Sequence, residues 1–145
     1  MKRLLKFLFW PGSRKKLLVR TFFTVLAVRL GLSLFAFRTL STWLSGFTAP
    51  DRCRTEWDVV SEITTCVRFC SQFVPYATCL TQALATQLLL KRVGQDSELK
   101  IGVDKDENER LIAHAWIEVE GKIVIGKLRD IRRYSIMAHG MEQVV

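Results

Sequence analysis

The fold of this chain is decided by the stretch TCLTQALATQLLLKRVG, residues 78–94. Its apolar residues recur every three or four positions, which predicts a helix from Cys79 to Val93. Thr78 supplies an N-cap hydroxyl, and Gly94 is typical of the position that follows a helix. The predicted helix therefore begins at a cysteine.

The sequence after this helix changes to a period of two, which is typical of strands with one buried face. This alternation predicts one strand over residues 99–103 and a second over residues 111–119. Residues 120–121 predict a tight turn into a third strand, residues 122–125. His114 lies in the middle of the second strand.

The basic charge of the chain is concentrated at its N-terminal end. Residues 1–50 contain nine Lys and Arg and no acidic residue, whereas residues 51–145 contain thirteen basic and fourteen acidic residues. A helical pattern runs over residues 14–44, with a break predicted near Gly31. We therefore expect a basic, apolar helical segment over residues 1–50 and a separate domain over residues 51–145 that starts with an amphipathic helix at residues 56–71.

The apolar part of the N-terminal segment raises the question of a membrane span. Arg29 and Arg38 leave uncharged runs of only eight residues each, and a spanning helix needs about 18 to 20. We expect helices packed in a protein interface, with contact to an anionic membrane surface as the second interpretation and a solvated face without function as the plainest one. No nucleic-acid partner is expected.

The cysteines indicate a reducing compartment. They form no CxxC pair and no disulfide-framework spacing, and no cleavable signal peptide is recognised, so a cytoplasmic location is expected. Cys66 and Cys70 lie on one face of a predicted helix and are interpreted as buried thiols. With only two histidines in the chain, we expect no metal and no cofactor. The four cysteines are Cys53, Cys66, Cys70 and Cys79.

A cysteine at the first position of a capped helix has chemical consequences. Unpaired N–H groups and the helix dipole favour the reactive thiolate, and the same N–H groups suit an oxyanion. A thiolate that attacks a carbonyl needs a base and acid partner, for which His114 is the candidate. The plain alternatives are a small buried cysteine and a satisfied core histidine. His139, in the unpatterned tail, is expected to have no role.

Several blocks of this pattern together resemble a known family. They are Cys-Leu-x-x-Ala-Leu at residues 79–84, Gly94, Leu-x-Ile-Gly-Val at residues 99–103 and Ala-His-Ala-Trp-Ile-Glu-Val-x-Gly at residues 113–121. This order resembles the leader peptidase of lasso-peptide biosynthesis, a branch of the transglutaminase-like cysteine protease superfamily. The resemblance implies an α+β fold in which a cysteine-bearing helix packs on a small antiparallel sheet bearing the histidine, preceded by N-terminal helices.

The resemblance also implies a function. It is that of a bacterial, cytoplasmic cysteine endopeptidase that removes the leader from a ribosomally made precursor peptide, with Cys79 as nucleophile and His114 as general base and acid. An ATP-dependent lasso cyclase would then close the ring. Because residues 1–50 do not resemble a fused delivery module, a separate small leader-binding protein is expected. The alternative is a non-catalytic module of this fold that docks a peptide or assembles the complex, and residues 1–50 leave peripheral contact with the inner membrane open.

One position departs from the family pattern. The family generally places an Asp about a dozen residues after the histidine, where it orients the imidazole. The predicted two-residue turn pairs His114 with Lys127, whose ammonium would oppose the imidazolium. Asp130 is the candidate orienting acid, Glu118 is the weaker alternative, and a Cys-His dyad without an acid is the third.

Overall fold

The computed structural model of the protein describes residues 11–46 and 54–137. Within these ranges the chain forms four α-helices, a single 3₁₀ turn and four short strands. In chain order they are α1 (Gly12–Leu34), α2 (Phe37–Ser45), α3 (Trp57–Ser71), α4 (Cys79–Arg92), β1 (Glu98–Lys105), β2 (Leu111–Val119), β3 (Lys122–Ile125), the 3₁₀ turn (Ile131–Arg133) and β4 (Ser135–Ile136).

Helix α4 is the central helix and confirms the prediction made from its sequence. The Thr78 hydroxyl accepts the N–H of Thr81 at 3.4 Å. At the other end Gly94 has a positive φ of 73° and donates its N–H to the Lys91 carbonyl, which closes the helix. Helix α4 packs against α1, α3 and β2. It therefore has neighbours around most of its circumference, which explains why its sequence is apolar on more than one face.

Helices α1 and α2 replace the single long helix pattern, and the break between them comes later in the chain than the position predicted near Gly31. The chain leaves the helical conformation at Phe35 and Ala36, both of which are extended. Gly31 lies inside α1, where an added Cβ would meet the Leu40 side chain at 3.1 Å. The glycine thus permits the close approach of α2 and does not end α1.

Helix α1 is long enough to cross a membrane by the criteria of length and composition. The helix is unbroken for 23 residues. The prediction from sequence counted only the uncharged runs on either side of Arg29, which are shorter than the helix itself. In its most apolar 18-residue window 28% of the residues are buried. Core helices and signal sequences also meet these criteria, so the finding is weak evidence for a span. The predicted boundary near residue 50 lies outside the described residues and stays a prediction.

The strands form one antiparallel sheet in the order β3-β2-β1-β4. The three predicted strands are all present. The 3₁₀ turn and β4, which the tail sequence did not predict, return the chain to the edge of β1, where Ser135 lies opposite Val103. These elements confirm the α+β fold with helices ahead of the sheet.

The β2–β3 hairpin begins as predicted and then shifts. Val119 lies opposite Lys122, as a two-residue turn requires. Ile117, however, lies opposite Ile125, because a β-bulge at Val124 places one extra residue in β3.

This bulge overturns the predicted partner of His114. The register moves by one residue and the paired part of β3 ends at Ile125, so the predicted pairing of His114 with Lys127 is wrong. Arg68 on α3 donates a hydrogen bond of 2.9 Å to the carbonyl of the bulged Val124. The bulge is therefore supported by a contact between elements distant in sequence, which a hairpin rule does not anticipate.

The two faces of β2 differ in their surroundings. Ala115 and Ile117 belong to the main hydrophobic core, together with residues of α1, α3 and α4. Strand alternation puts His114 and Trp116 on the opposite face. The buried members of the core are Leu18, Val25, Val28, Val60, Ile63, Cys66, Val67, Cys70, Val74, Ala83, Leu84, Ala85, Leu89, Leu90, Ala115, Ile117, Val119 and Ile125.

Candidate active site

Cys79 is the first residue of α4 and lies half-buried against the core. The first N–H groups of a helix have no partner within the helix. The N–H of Thr81 is taken by the Thr78 hydroxyl, and the N–H of Gln82 by the Thr78 carbonyl. In the described part of the chain, the N–H groups of Cys79 and Leu80 have no acceptor, so both remain available to a negative charge at the helix start.

The elements that bear the two residues pack against each other. Helix α4 begins at Cys79 and contacts β2, the strand that contains His114.

His114 is held by a backbone carbonyl. Its Nε2 lies 2.6 Å from the carbonyl oxygen of Gly126. A carbonyl only accepts hydrogen bonds, so Nε2 must be the donor. In the neutral imidazole this leaves Nδ1 as the unprotonated nitrogen, which is the form that can take a proton from a thiol. The histidine thus already has one nitrogen fixed and the other free for chemistry.

Gly126 reaches this position because it has no side chain. Its φ is +82°, a conformation that other residues rarely adopt, and an added Cβ would lie 2.6 Å from the carbonyl oxygen of Ala115 and 3.0 Å from the Trp116 Cα. The chain after β3 therefore passes closely over β2. This close approach aims the Gly126 carbonyl at the imidazole.

Aromatic side chains surround the imidazole on its face of the sheet. The ring of Trp116 stacks at 6.2 Å between centroids, and the ring of Tyr134 lies at 5.9 Å. The Trp116 ring and the Cβ of Tyr134 lie over Gly102, the residue opposite His114, where an added Cβ would meet the Tyr134 Cβ at 2.8 Å and the Trp116 ring at 3.0 Å. The rings and the Gly126 carbonyl together fix the orientation of the imidazole.

Among the described residues, neither acid considered for the orienting role is hydrogen-bonded to His114. The Glu118 carboxylate accepts a hydrogen bond of 2.8 Å from the Trp116 indole. Asp130 is exposed and precedes the 3₁₀ turn, where its carbonyl accepts the N–H of Arg133. Lys127 is also exposed. The hydrogen bond that His114 makes within the described residues goes to Gly126, and the role of Asp130 stays a prediction.

The two principal site residues are not in hydrogen-bond contact. No hydrogen bond joins Cys79 to His114 in the part of the chain that the structure describes. His114 lies on the sheet face opposite to the core against which Cys79 packs. Catalytic hydrogen bonds are often long in proteins without substrate and shorten in the complex. Acyl transfer through this pair therefore requires a conformation in which the imidazole and the helix start face each other.

The remaining thiols differ from Cys79. Cys66 and Cys70 are buried on α3, which confirms their interpretation as core thiols. Burial raises the pKa of the Cys66 thiol to about 11 and that of Cys70 to about 12. Both are thus poor nucleophiles near neutral pH. Cys53 and His139 lie outside the described residues, and within those residues no three His, Cys, Asp or Glu side chains are grouped to hold a metal ion.

Sequence reasoning missed three contributors to this site. Gly102, Gly126 and Tyr134 all contact or make room for the residues around the imidazole. The glycine at 126 directly follows an apolar strand, which is a signal for a turn or a close backbone approach. No comparable signal marks Tyr134, because its position depends on the return of the chain to β1.

Comparison with known proteins places this geometry in a family. The family model described as the transglutaminase-like superfamily matches residues 23–139. No curated protein and no solved structure matches the chain. The matched region includes the C-terminal half of α1, the helix α4 and the whole sheet, and therefore both Cys79 and His114. The chain belongs to the transglutaminase-like superfamily, which includes cysteine peptidases.

Proposed function

We propose that this protein is a cysteine endopeptidase that removes the leader from a ribosomally made lasso-peptide precursor. The observation that carries the proposal is the combination of a cysteine at the capped start of the central helix with a histidine on the packed strand β2. The family includes cysteine peptidases, and the resemblance of the two sequence blocks to leader peptidases supports the narrower substrate class.

The proposed reaction is acyl transfer through a thioester. The Cys79 thiolate attacks the carbonyl carbon of the scissile bond, and the N–H groups of Cys79 and Leu80 stabilise the oxyanion. The imidazolium of His114 gives its proton to the leaving amine as the C–N bond breaks. His114 then takes a proton from water, whose oxygen attacks the thioester and releases the leader acid and the thiol.

The orientation of His114 in this reaction is assigned to the Gly126 carbonyl. The carbonyl oxygen accepts a hydrogen bond of 2.6 Å from the Nε2–H group and holds the imidazole ring in one orientation, which is the positioning role that an acid would otherwise fill. Asp130 remains the alternative. An Asp130→Asn variant separates the two, because it keeps full activity if the carbonyl is the orienting group and loses most of it if the acid is.

The partners follow from the same proposal. The substrate is a precursor peptide with its leader, delivered by a separate small leader-binding protein, and the product passes to an ATP-dependent lasso cyclase in the cytoplasm. Because no hydrogen bond joins Cys79 to His114 among the described residues, we expect delivery of the peptide to bring the two groups into the reactive arrangement.

The test is cleavage of the precursor in a reconstituted reaction with the leader-binding protein. Cys79→Ala and His114→Ala are each expected to lower the rate about a thousand-fold or more without loss of the fold. Cys66→Ala is the matched control, since it removes a buried thiol of another helix and should leave the rate unchanged where the variant folds. Full activity of Cys79→Ala would exclude the proposal.

A second candidate is a non-catalytic module that docks a peptide or assembles the maturation complex. It is favoured by the separation of Cys79 from His114 and by the absence of an acid hydrogen-bonded to the imidazole among the described residues. If this candidate is right, the Cys79→Ala variant still supports maturation of the precursor. Substitutions that prevent the protein from binding the peptide would abolish maturation.

A further inference from the structure

Helix α1 has apolar side chains on two opposite faces. Its inner face packs on α3 and α4, with Leu18, Val25 and Val28 buried. Its outer face exposes a second apolar set. At about 100° per residue these outer positions fall within an arc of roughly 60° and extend for about 22 Å along the helix. They are Val19 (52% exposed), Phe23 (61%), Leu30 (52%) and Leu34 (74%), here called the outer stripe.

The outer stripe is bordered by cations and by further exposed apolar residues. Lys16 and Arg20 are exposed beside its N-terminal end. Phe35 and Trp43, which follow α1 in the chain, are also exposed, at 58% and 74%. Trp is a side chain that membrane interfaces favour. Residues 11–46 contain no acidic residue. A surface of this kind complements a partner that is both apolar and negatively charged.

We propose that the outer stripe of α1 docks the protein on an anionic lipid surface, with the helix lying in the plane of the interface. Apolar side chains would enter the boundary between head groups and acyl chains, while Lys16 and Arg20 contact lipid phosphates. This inference goes beyond the proposed peptidase function and does not depend on it.

The buried face of α1 separates this mode from a membrane span. A span would expose the whole helix to lipid and withdraw Leu18, Val25 and Val28 from the core that they form with α3 and α4. Arg14 of α1 also forms an ion pair of 3.0 Å with Glu62 of α3. Helix α1 is apolar enough to meet the criteria for a span because it has two apolar faces. One face packs on α3 and α4, and the other is the exposed outer stripe.

The charge of the surface argues against a second copy of the chain as the occupant. In a symmetric dimer through the outer stripe, residues 11–46 of neither copy would supply an acid to neutralise the cations of the other. Lipid phosphates supply the missing negative charge.

The experiment is flotation of the purified full chain with vesicles. One set contains phosphatidylcholine alone, and the other contains phosphatidylcholine with phosphatidylglycerol. The proposal expects binding to the second set only, with release as the salt is raised from ~0.1 M to ~1 M. Replacement of Lys16 and Arg20 by Gln should weaken binding about five-fold per cation.

The apolar part is tested by the double variant Phe23→Ser/Leu30→Ser, which should weaken vesicle binding at least about ten-fold per residue. Both side chains are exposed, so the fold should persist, and circular dichroism checks this. Leu111→Ser is the matched control, because Leu111 is 75% exposed at the start of β2 and outside α1. Loss of binding in Leu111→Ser with retention in the double variant would overturn the proposal.

Two further flotation results would overturn the proposed docking on lipid. Failure of the wild type to float with either vesicle would overturn the proposal and leave an acidic protein as the partner of this surface. Binding that is equal on both vesicles and resists high salt and alkaline extraction would overturn it in favour of a spanning helix.

Discussion

Replacement of Gly126 by Ala tests the close approach that aims a backbone carbonyl at His114. Two energetic effects are expected. The first is the left-handed φ of +82°, which costs about 1–2 kcal/mol for a residue with a Cβ. The second is the contact of that Cβ with the Ala115 carbonyl oxygen at 2.6 Å, which is backbone and cannot rotate away. Overpacking of this kind typically costs about 1–3 kcal/mol.

Gly121 provides a matched control for the first effect alone. It also has a left-handed φ, +74°, but an added Cβ there meets nothing within 4 Å. Gly121→Ala should therefore lower the free energy of unfolding by about 1–2 kcal/mol, and Gly126→Ala by about 2–5 kcal/mol. For a chain of this size, the difference corresponds to several degrees in the midpoint of thermal unfolding, at about 2–4 °C per kcal/mol.

The assay is urea and thermal unfolding of the wild type and both variants, followed by circular dichroism. Equal destabilisation by Gly126→Ala and Gly121→Ala would refute the close approach of Gly126 to β2. Precursor cleavage by the two variants, at a temperature where both are folded, adds a functional measurement. Gly126→Ala should lose activity that Gly121→Ala retains, because only the former displaces the carbonyl from the imidazole.

Three further predictions concern the thiols and the helix cap. Iodoacetamide near pH 8 should modify Cys79 far faster than Cys66 or Cys70, because pKa values of about 11 and 12 leave on the order of one thousandth or less of the two buried thiols as thiolate. Mass spectrometry of the digested protein measures the rate of modification at each cysteine. Equal rates at the three cysteines would exclude an activated Cys79. The free energy of unfolding should decrease by up to about 1.4 kcal/mol per thiol per pH unit above about pH 9, because Cys66 and Cys70 ionise at lower pH in the unfolded chain than in the folded one. Urea unfolding at a series of alkaline pH values should show a shallower decrease for a Cys66→Ala/Cys70→Ala variant. The same slope for the wild type and the variant would contradict the raised pKa values. Thr78→Ala should destabilise the protein by about 0.5–1 kcal/mol through loss of the cap on Thr81, as thermal unfolding would show, whereas Thr78→Ser should be neutral.

The sequence by itself determined the elements whose causes are local. Helix α4 could be predicted with its first residue because the Thr78 cap, the apolar period and the stop at Gly94 act within a few residues of one another. The strands β2 and β3 and the turn between them follow from alternation and a two-residue glycine turn. Cys79 and His114 could be proposed as site residues for the same reason, since each lies at a recognisable position of its own element.

Only the tertiary structure decided what surrounds the histidine. The bulge at Val124 is supported by Arg68 from another helix, and it moves the chain so that the Gly126 carbonyl, not Lys127, reaches His114. The distribution of exposure around α1 likewise depends on which of its two apolar faces meets α3 and α4. Such features arise from contacts between residues far apart in sequence, and a local pattern does not contain the geometry of those contacts.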